Sequence, residues 1–228
     1  KAGPVTSHLR LGAEAPSASN RVSPSSADCV LAFDLLTAAD AKHVGVGDPE
    51  RTVTVASTSR TATGEMVYDR NVAYPADSSL LDRVGARARR VVSFDAAEAA
   101  DAIFGHTATA NFLLVGAAYQ EGALPIPAAS IEEAIAVNGV AVAANQEAFR
   151  WGRVAVADPA AFAAATAAAT VANRSDTQVP TDLFVGTPLS GEVRDLVERR
   201  AAQLVAHSGR RAAAGYLREV ESVWVRER

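Results

Sequence analysis

Short apolar runs alternate with helical patterns along the first half of the chain, and this alternation constrains its fold most strongly. Residues 28–33 form a continuous apolar run, and residues 52–57 alternate β-branched side chains, as strands do. Residues 91–94 supply a third run of this kind, and helical patterns follow the three runs at 34–43, 78–89 and 95–104, the last with Asp95 as its cap. Such alternation predicts an α/β fold: a three-layer, Rossmann-like, mostly parallel sheet with flanking helices.

The remaining segments divide the chain into three parts. Residues 5–11 are predicted to form a strand that belongs to the sheet domain, which spans 1–153 and ends in three helices. An Ala-rich segment and a linker fill 154–189, with 160–172 readable as helix or linker and 173–188 as a loop. Residues 190–228 are charged and amphipathic, which predicts a C-terminal helical extension.

Composition excludes several classes of protein. A net charge of -4 argues against a nucleic-acid-binding surface, and the arginines at 83–90 are expected on the solvated side of a helix and its exit. Cys29 is the only cysteine, so the chain alone can form neither a disulfide nor a four-thiolate iron–sulfur site. It is predicted to be a buried strand thiol. Without a signal peptide or a membrane-length apolar run, the expected location is the cytoplasm, away from any membrane.

Candidate ligand contacts follow from the sheet, because parallel sheets bind ligands at the carboxyl ends of their strands. The loop after the second strand is rich in hydroxyls and contains Thr61, Thr63 and Gly64. It can cradle a phosphate or carboxylate, or it can simply cap the next helix. Thr109 and Asn111 open the helix that follows the sheet, where polar groups meet an anion or act as caps.

Other motifs carry less chemistry. Gly45-Val-Gly47 lacks the third glycine and the preceding strand of a dinucleotide-binding loop, so a turn is predicted. The four histidines show no metal-ligand spacing, which predicts no metal site. No residue is a convincing nucleophile or general base, so any difficult chemistry is expected on a cofactor held elsewhere.

Two segments resemble one family. Residues 109–153, TANFLLVGAAYQEGALPIPAASIEEAIAVNGVAVAANQEAFRWGR, resemble the end of the gamma domain of 2-oxoacid:ferredoxin oxidoreductases, above all the fused indolepyruvate ferredoxin oxidoreductases. Residues 1–11, KAGPVTSHLRL, are similar to the segment that follows the first strand–helix unit of that domain. The resemblance implies that residues 1–153 are this gamma domain, lacking its start and forming part of a longer polypeptide.

The resemblance also implies a reaction and its partners. The complete enzyme would oxidatively decarboxylate an aryl 2-oxoacid to its acyl-CoA and pass electrons to ferredoxin. Thiamine diphosphate, Mg²⁺ and 4Fe–4S clusters would be held by other domains or subunits, with none bound by this chain alone. This domain would shape one wall of the active site.

The segment containing Ser7, His8 and Arg10 would lie on the active-site side of the assembly, if the resemblance holds. His8 is then either a proton relay or substrate contact, or a histidine bonded to neighbouring backbone. Arg10 suits a carboxylate or phosphate contact because of its planar fork, and it suits an inter-domain salt bridge equally. Two rival functions remain: a structural or interaction domain without ligand contact, and an independent nucleotide-binding module.

Overall fold

The computed structural model describes residues 4–12, 21–69, 71–176 and 180–226. The chain divides into two units, Lys1–Ala167 and Ala168–Arg228, which we call unit 1 and unit 2.

Unit 1 is built on a parallel sheet. Its described strands are β1 (Cys29–Ala32), β2 (Val53–Ser57) and β3 (Arg90–Phe94), in the order β1-β2-β3. Every residue of the central strand β2 is buried, as expected for a strand covered on both faces. The predicted α/β class and the parallel sheet are confirmed.

Helices cover both faces of this sheet. Those of unit 1 are α1 (Leu35–Ala38), α2 (Ala41–Val44), α3 (Gly64–Tyr68), α4 (Asp77–Gly85), α5 (Ala96–Phe104), α6 (Ala110–Gln120), α7 (Ala128–Asn138) and α8 (Val142–Ala157); α9 (Pro159–Asp176) contains the division between the units.

Successive side chains of β2 point to opposite faces, and each face has its own core. Val53 and Val55 pack with Leu114 of α6 on one face. Ala56 packs on the other face with residues of α1 and α4, among them Leu35 and Leu80. The sheet therefore lies between two helical layers, in the three-layer arrangement that the sequence predicts.

Helix α6 lies unusually close to α8. A Cβ built on Gly116 would be 2.0 Å from the carbonyl oxygen of Phe149, and one built on Gly152 would be 2.0 Å from that of Leu113. Phe149 and Leu113 are themselves fully buried. Only glycine at both positions permits this approach of the two backbones, which fixes α8 against the sheet-covering helix.

Two predictions of local structure are wrong. Residues 5–11 form no strand: no described strand pairs with them, and Val5 and Leu9 are 86% and 79% exposed. The loop predicted for 173–188 begins later, because α9 continues to Asp176 and a 3-10 turn forms at Thr181–Phe184. The helix predicted for 34–43 is present as two short helices, α1 and α2, separated at Asp40, which caps the second.

Unit 2 contains a helical pair, α10 (Gly191–Ser208) and α11 (Arg210–Arg226), joined at Gly209. Phe184, Leu189, Val197 and Leu217 form its core. The indole Nε1 of Trp224 donates to the carbonyl of Pro188 at 3.2 Å, which ties the end of α11 to the segment before α10. The predicted C-terminal helical extension is confirmed.

Cys29 of β1 is half-buried, so the prediction of a buried thiol holds only in part. Burial, aided by the neighbouring Asp28 carboxylate, raises the pKa of this thiol from 9.0 to about 11. We therefore expect iodoacetamide to alkylate Cys29 in the folded chain about a hundredfold more slowly at pH 8 than in the unfolded chain, because two pKa units lower the thiolate fraction by that factor. Rates obtained with and without denaturant check this, and equal rates would contradict it.

The same shift sets a pH window for stability. Because the folded-state pKa lies above the unfolded value, the folded state binds the thiol proton more tightly. The contribution of Cys29 is therefore fully present below about pH 9 and is lost as the pH rises towards 11. Cys29→Ala is expected to abolish the part of the alkaline destabilisation that arises from this group.

Candidate functional site

The carboxyl edge of the sheet collects three loops. Asp34 follows β1, residues 58–63 follow β2, and Asp95 follows β3. Parallel strands end at the same edge, so these segments lie side by side, as the sequence predicts. A ligand can bind at this edge only through polar groups that the chain itself leaves unbonded.

Two serines and an aspartate occupy the N-terminus of α5. The hydroxyl of Ser59 donates to Asp95 Oδ1 at 2.7 Å and lies 2.6 Å from the hydroxyl of Ser57. Backbone N–H groups of Ala96 and Ala97 donate to Ser57 and Ser59, and a third N–H of the first turn donates to Asp95. Because the chain itself satisfies these donors, this helix end offers no anion site.

The predicted hydroxyl-rich loop lies at the surface. Thr61, Thr63 and Gly64 are all exposed. Thr63 Oγ1 accepts from the backbone N–H of Met66 at 3.3 Å, so it caps α3, which is the alternative left open for this loop. Thr61 makes no hydrogen bond through its side chain within the described part of the chain and is free to meet a ligand.

Arg60 of this loop belongs to a cluster of polar side chains that the sequence did not reveal. Both guanidinium nitrogens of Arg60 that face Asp77 bond to its carboxylate, at 3.1 and 2.9 Å, and the guanidinium carbon lies 5.5 Å from the ring centre of Tyr74. Burial raises the pKa of Tyr74, and the carboxylates of Asp34 and Asp77 add to this rise. Seventeen residues separate Arg60 from Asp77, so no local pattern could have found the pair.

Helix α6 also presents its N-terminus at the carboxyl edge. Arg90, at the start of β3, bonds to Glu121 just after α6, at 3.1 Å. Phe94, at the end of β3, and Ala110, at the start of α6, pack against the same buried cluster. Helix and strand therefore run in opposite directions, and the first turn of α6 lies near the end of β3.

The two candidate residues at this helix end differ in exposure. Thr109 is 1% exposed, and its hydroxyl finds no hydrogen-bond partner among the described residues. Asn111 is exposed. Neither side chain caps α6, so the capping role considered for them does not hold in the structure.

The unpaired hydroxyl of Thr109 leads to a prediction about the stability of the fold. Thr109→Val keeps the shape of the side chain and removes a buried, unsatisfied group, so we expect the free energy of unfolding to rise by about 1 kcal/mol. Denaturant unfolding of the 228-residue chain measures this. A loss of stability would contradict the account, since it would mean that the hydroxyl has a hydrogen-bonding partner.

Ser7, His8 and Arg10 lie in the irregular segment 4–12, and the last two contact residues 21–22. The ring Nδ1 of His8 accepts from the backbone N–H of Val22 at 3.1 Å, and Arg10 Nη2 donates to the carbonyl of Arg21 at 2.7 Å. Ser7 is exposed. The backbone-bonded alternative for His8 is therefore the one seen, while the exposed Arg10 retains donors that could reach a ligand or a partner.

The residues present do not fit the redox cofactors that the resemblance implies. The described ranges contain no group of three or more His, Cys, Asp or Glu side chains able to hold a metal ion. One cysteine in the whole chain cannot supply the four thiolates of a cluster. What the carboxyl edge offers instead is hydroxyl, amide and guanidinium groups suited to holding an anion or a neighbouring protein surface.

Comparison with family models decides the affiliation. The model described as pyruvate ferredoxin/flavodoxin oxidoreductase matches residues 1–155. The chain belongs to this family. Residues 1–155 are thus the gamma domain of a 2-oxoacid:ferredoxin oxidoreductase, and the match ends within α8 of unit 1. Searches of curated proteins and of solved structures returned no match.

Enzymes of the pyruvate ferredoxin/flavodoxin oxidoreductase family use thiamine diphosphate and iron–sulfur clusters in multidomain or multisubunit assemblies.

Within the described residues of this chain, no helix has the length and apolar content needed to cross a membrane.

Proposed function

We propose that this chain is the gamma domain of an indolepyruvate-type enzyme. The complete enzyme would convert an aryl 2-oxoacid to its acyl-CoA in the cytoplasm and pass the electrons to ferredoxin. The family match over residues 1–155 carries the proposal, supported by the resemblance of residues 109–153 to the fused indolepyruvate enzymes. Thiamine diphosphate, Mg²⁺ and 4Fe–4S clusters would be held by other domains or subunits, a proposal supported by the single cysteine of the chain and by the lack of a metal-binding group among the described residues.

Within that enzyme the carboxyl edge forms one wall of the active site. Thr61, Gly64 and Asn111 are exposed there, and Thr61 has no bond to its own chain among the described residues. Arg10 and the segment of Ser7 and His8 would add to this wall. Such groups orient a carboxylate or phosphate by hydrogen bonds and exclude water, while the covalent steps take place on a cofactor held elsewhere.

One observation favours a second candidate, a structural domain without ligand contact. Several predicted site residues are engaged with their own chain: His8 and Arg10 with residues 21–22, and Thr63 with α3. Groups that hold loops in place need not touch a ligand, and the two roles require different tests.

Substitutions in the complete enzyme distinguish the wall from the scaffold. Arg10→Gln and Thr61→Val are expected to raise the KM for the 2-oxoacid or coenzyme A about tenfold with kcat little changed, as loss of a binding contact does. Ser78→Ala, an exposed serine of α4, is the matched control and should leave both constants unchanged. Unaltered constants in all three variants would favour the scaffold.

Substrate preference tests the proposed specificity for indolepyruvate. Indolepyruvate is expected to exceed pyruvate in kcat/KM by about a hundredfold, since a pocket that buries an aryl group gains several kcal/mol over one that holds a methyl group. A preference for pyruvate would refute the indolepyruvate assignment and leave family membership intact.

A further inference from the structure

Three exposed arginines, Arg83, Arg87 and Arg89, form a cluster that the proposed active-site wall does not use. Arg83 lies in the last turn of α4, and the other two lie between α4 and β3. None of their side chains makes an ion pair or hydrogen bond within the ranges that the structure describes. Their neighbour Arg90, by contrast, pairs with Glu121 at 3.1 Å. We call the three residues the arginine patch.

The backbone beneath the arginine patch is fixed. The carbonyl oxygen of Arg87 lies so close to Gly47 that a Cβ there would be 2.3 Å away. The N–H of Arg89 donates to the carbonyl of Thr52 at 2.8 Å, and that of Arg87 donates to Val84 at 3.1 Å. The charges therefore project from a preorganised turn, and ordering them on binding costs side-chain freedom alone.

The helix dipole explains only part of this cluster. A cation in the last turn of a helix is stabilised by the negative helix end, which accounts for Arg83. Arg87 and Arg89 lie beyond the end of α4 and have no such role. They place three positive charges within seven residues of a chain of net charge -4, with Asp82 the one exposed carboxylate among residues 82–90.

The surroundings of the arginine patch indicate the kind of partner. No large apolar side chain is strongly exposed among residues 77–94, all of which the structure describes. Permanent interfaces are apolar at their centre, whereas electron-transfer encounters are small, polar and steered by charge. An unpaired, apolar-free set of guanidinium groups fits a transient acidic partner.

We propose that the arginine patch docks the acidic surface of the small protein electron carrier that accepts electrons from the enzyme. The family description names ferredoxin or flavodoxin as that carrier. The inference rests on the proposed function, because it requires the chain to be part of an enzyme that reduces such a carrier.

The test compares a protein acceptor with a small one in the complete oxidoreductase. A triple variant, R83Q/R87Q/R89Q, removes three positive charges from exposed side chains and should leave the core unchanged. We expect its kcat/KM for ferredoxin to fall about tenfold and to depend less on ionic strength, with a matching rise in the Kd for ferredoxin. Reduction of methyl viologen, which needs no docking surface, should not change.

A matched control removes the same charge elsewhere. Arg199, Arg211 and Arg218 are exposed arginines of unit 2, and their replacement by Gln should leave the ferredoxin constants unaltered. An unchanged kcat/KM for ferredoxin in the patch variant would overturn the inference. So would equal losses with ferredoxin and viologen together with dissociation of the assembly, because the patch would then face a neighbouring domain. If the unsubstituted enzyme fails to reduce viologen, the proposed function itself falls.

Discussion

Gly152→Ala is expected to lower the free energy of unfolding of unit 1 by about 3 kcal/mol, although alanine is the better helix former. The added Cβ would lie 2.0 Å from the carbonyl oxygen of Leu113, a contact with backbone that no side-chain rotation relieves. Helix α8 must then move away from α6 and disturb the buried Phe149 and Leu113. Gly116→Ala meets the same obstacle from the opposite helix, at the carbonyl of Phe149.

Thermal unfolding followed by circular dichroism checks this, with an expected fall in Tm of roughly 10 °C. Gly85→Ala is the matched control, because its new Cβ would meet only a methyl group of Val91 at 3.8 Å. Its Tm should stay within about 2 °C of the parent value, since an open site adds no steric cost. Equal behaviour of the two variants would contradict the close α6–α8 contact.

Gly47→Ala is the second substitution with a large expected effect. Its Cβ would lie 2.3 Å from the carbonyl oxygen of Arg87, so the turn before β2 and the turn before β3 could no longer touch. We expect a loss of about 2 kcal/mol in the free energy of unfolding. Gly45→Ala, two residues away and with nothing within 4 Å of its new Cβ, should cost well below 1 kcal/mol.

Denaturant midpoints of the two variants, measured side by side, decide the matter. Both changes add the same methyl group to the same turn. A difference in stability between the two variants therefore reports the contact with Arg87. A Gly45 variant as unstable as the Gly47 variant would contradict the contact with Arg87 as the cause of the loss.

The sheet was predictable because its strands carry their own pattern. Residues 52–57 alternate β-branched side chains, and β2 is Val53–Ser57 with one set against α6 and the other against α1 and α4. The cap at Asp95 and the left-handed Gly139 after α7 were predictable for the same reason, since both are local signals. Local physical chemistry suffices where neighbours in sequence are neighbours in space.

Features that depend on distant partners were not predictable. Val5 and Leu9 lie in a segment patterned like a strand, but a strand forms only against a neighbour, and both side chains are exposed instead. The motif Gly45-Val-Gly47 indicated a turn, whereas the reason for its second glycine lies forty residues away at Arg87. The same holds for the pair of Arg60 and Asp77.

The candidate site was likewise predictable only in part. The carboxyl edge as its location came from a general rule for parallel sheets, and the structure places Thr61, Gly64 and Asn111 at exposed positions around it. Which hydroxyls are already used, as those of Ser57 and Ser59 are, depends on contacts across the edge. A ligand role for the free groups stays a prediction until the complete enzyme is tested.

We expect this chain to work within a 2-oxoacid oxidoreductase whose redox centres lie outside it. The measurement that tests it most directly is the reduction of ferredoxin by the anaerobically purified native protein that contains this chain. We predict reduction that requires both a 2-oxoacid and coenzyme A and is absent when either is omitted. An intact native protein that reduces no acceptor with any of indolepyruvate, pyruvate or 2-oxoglutarate would contradict the account.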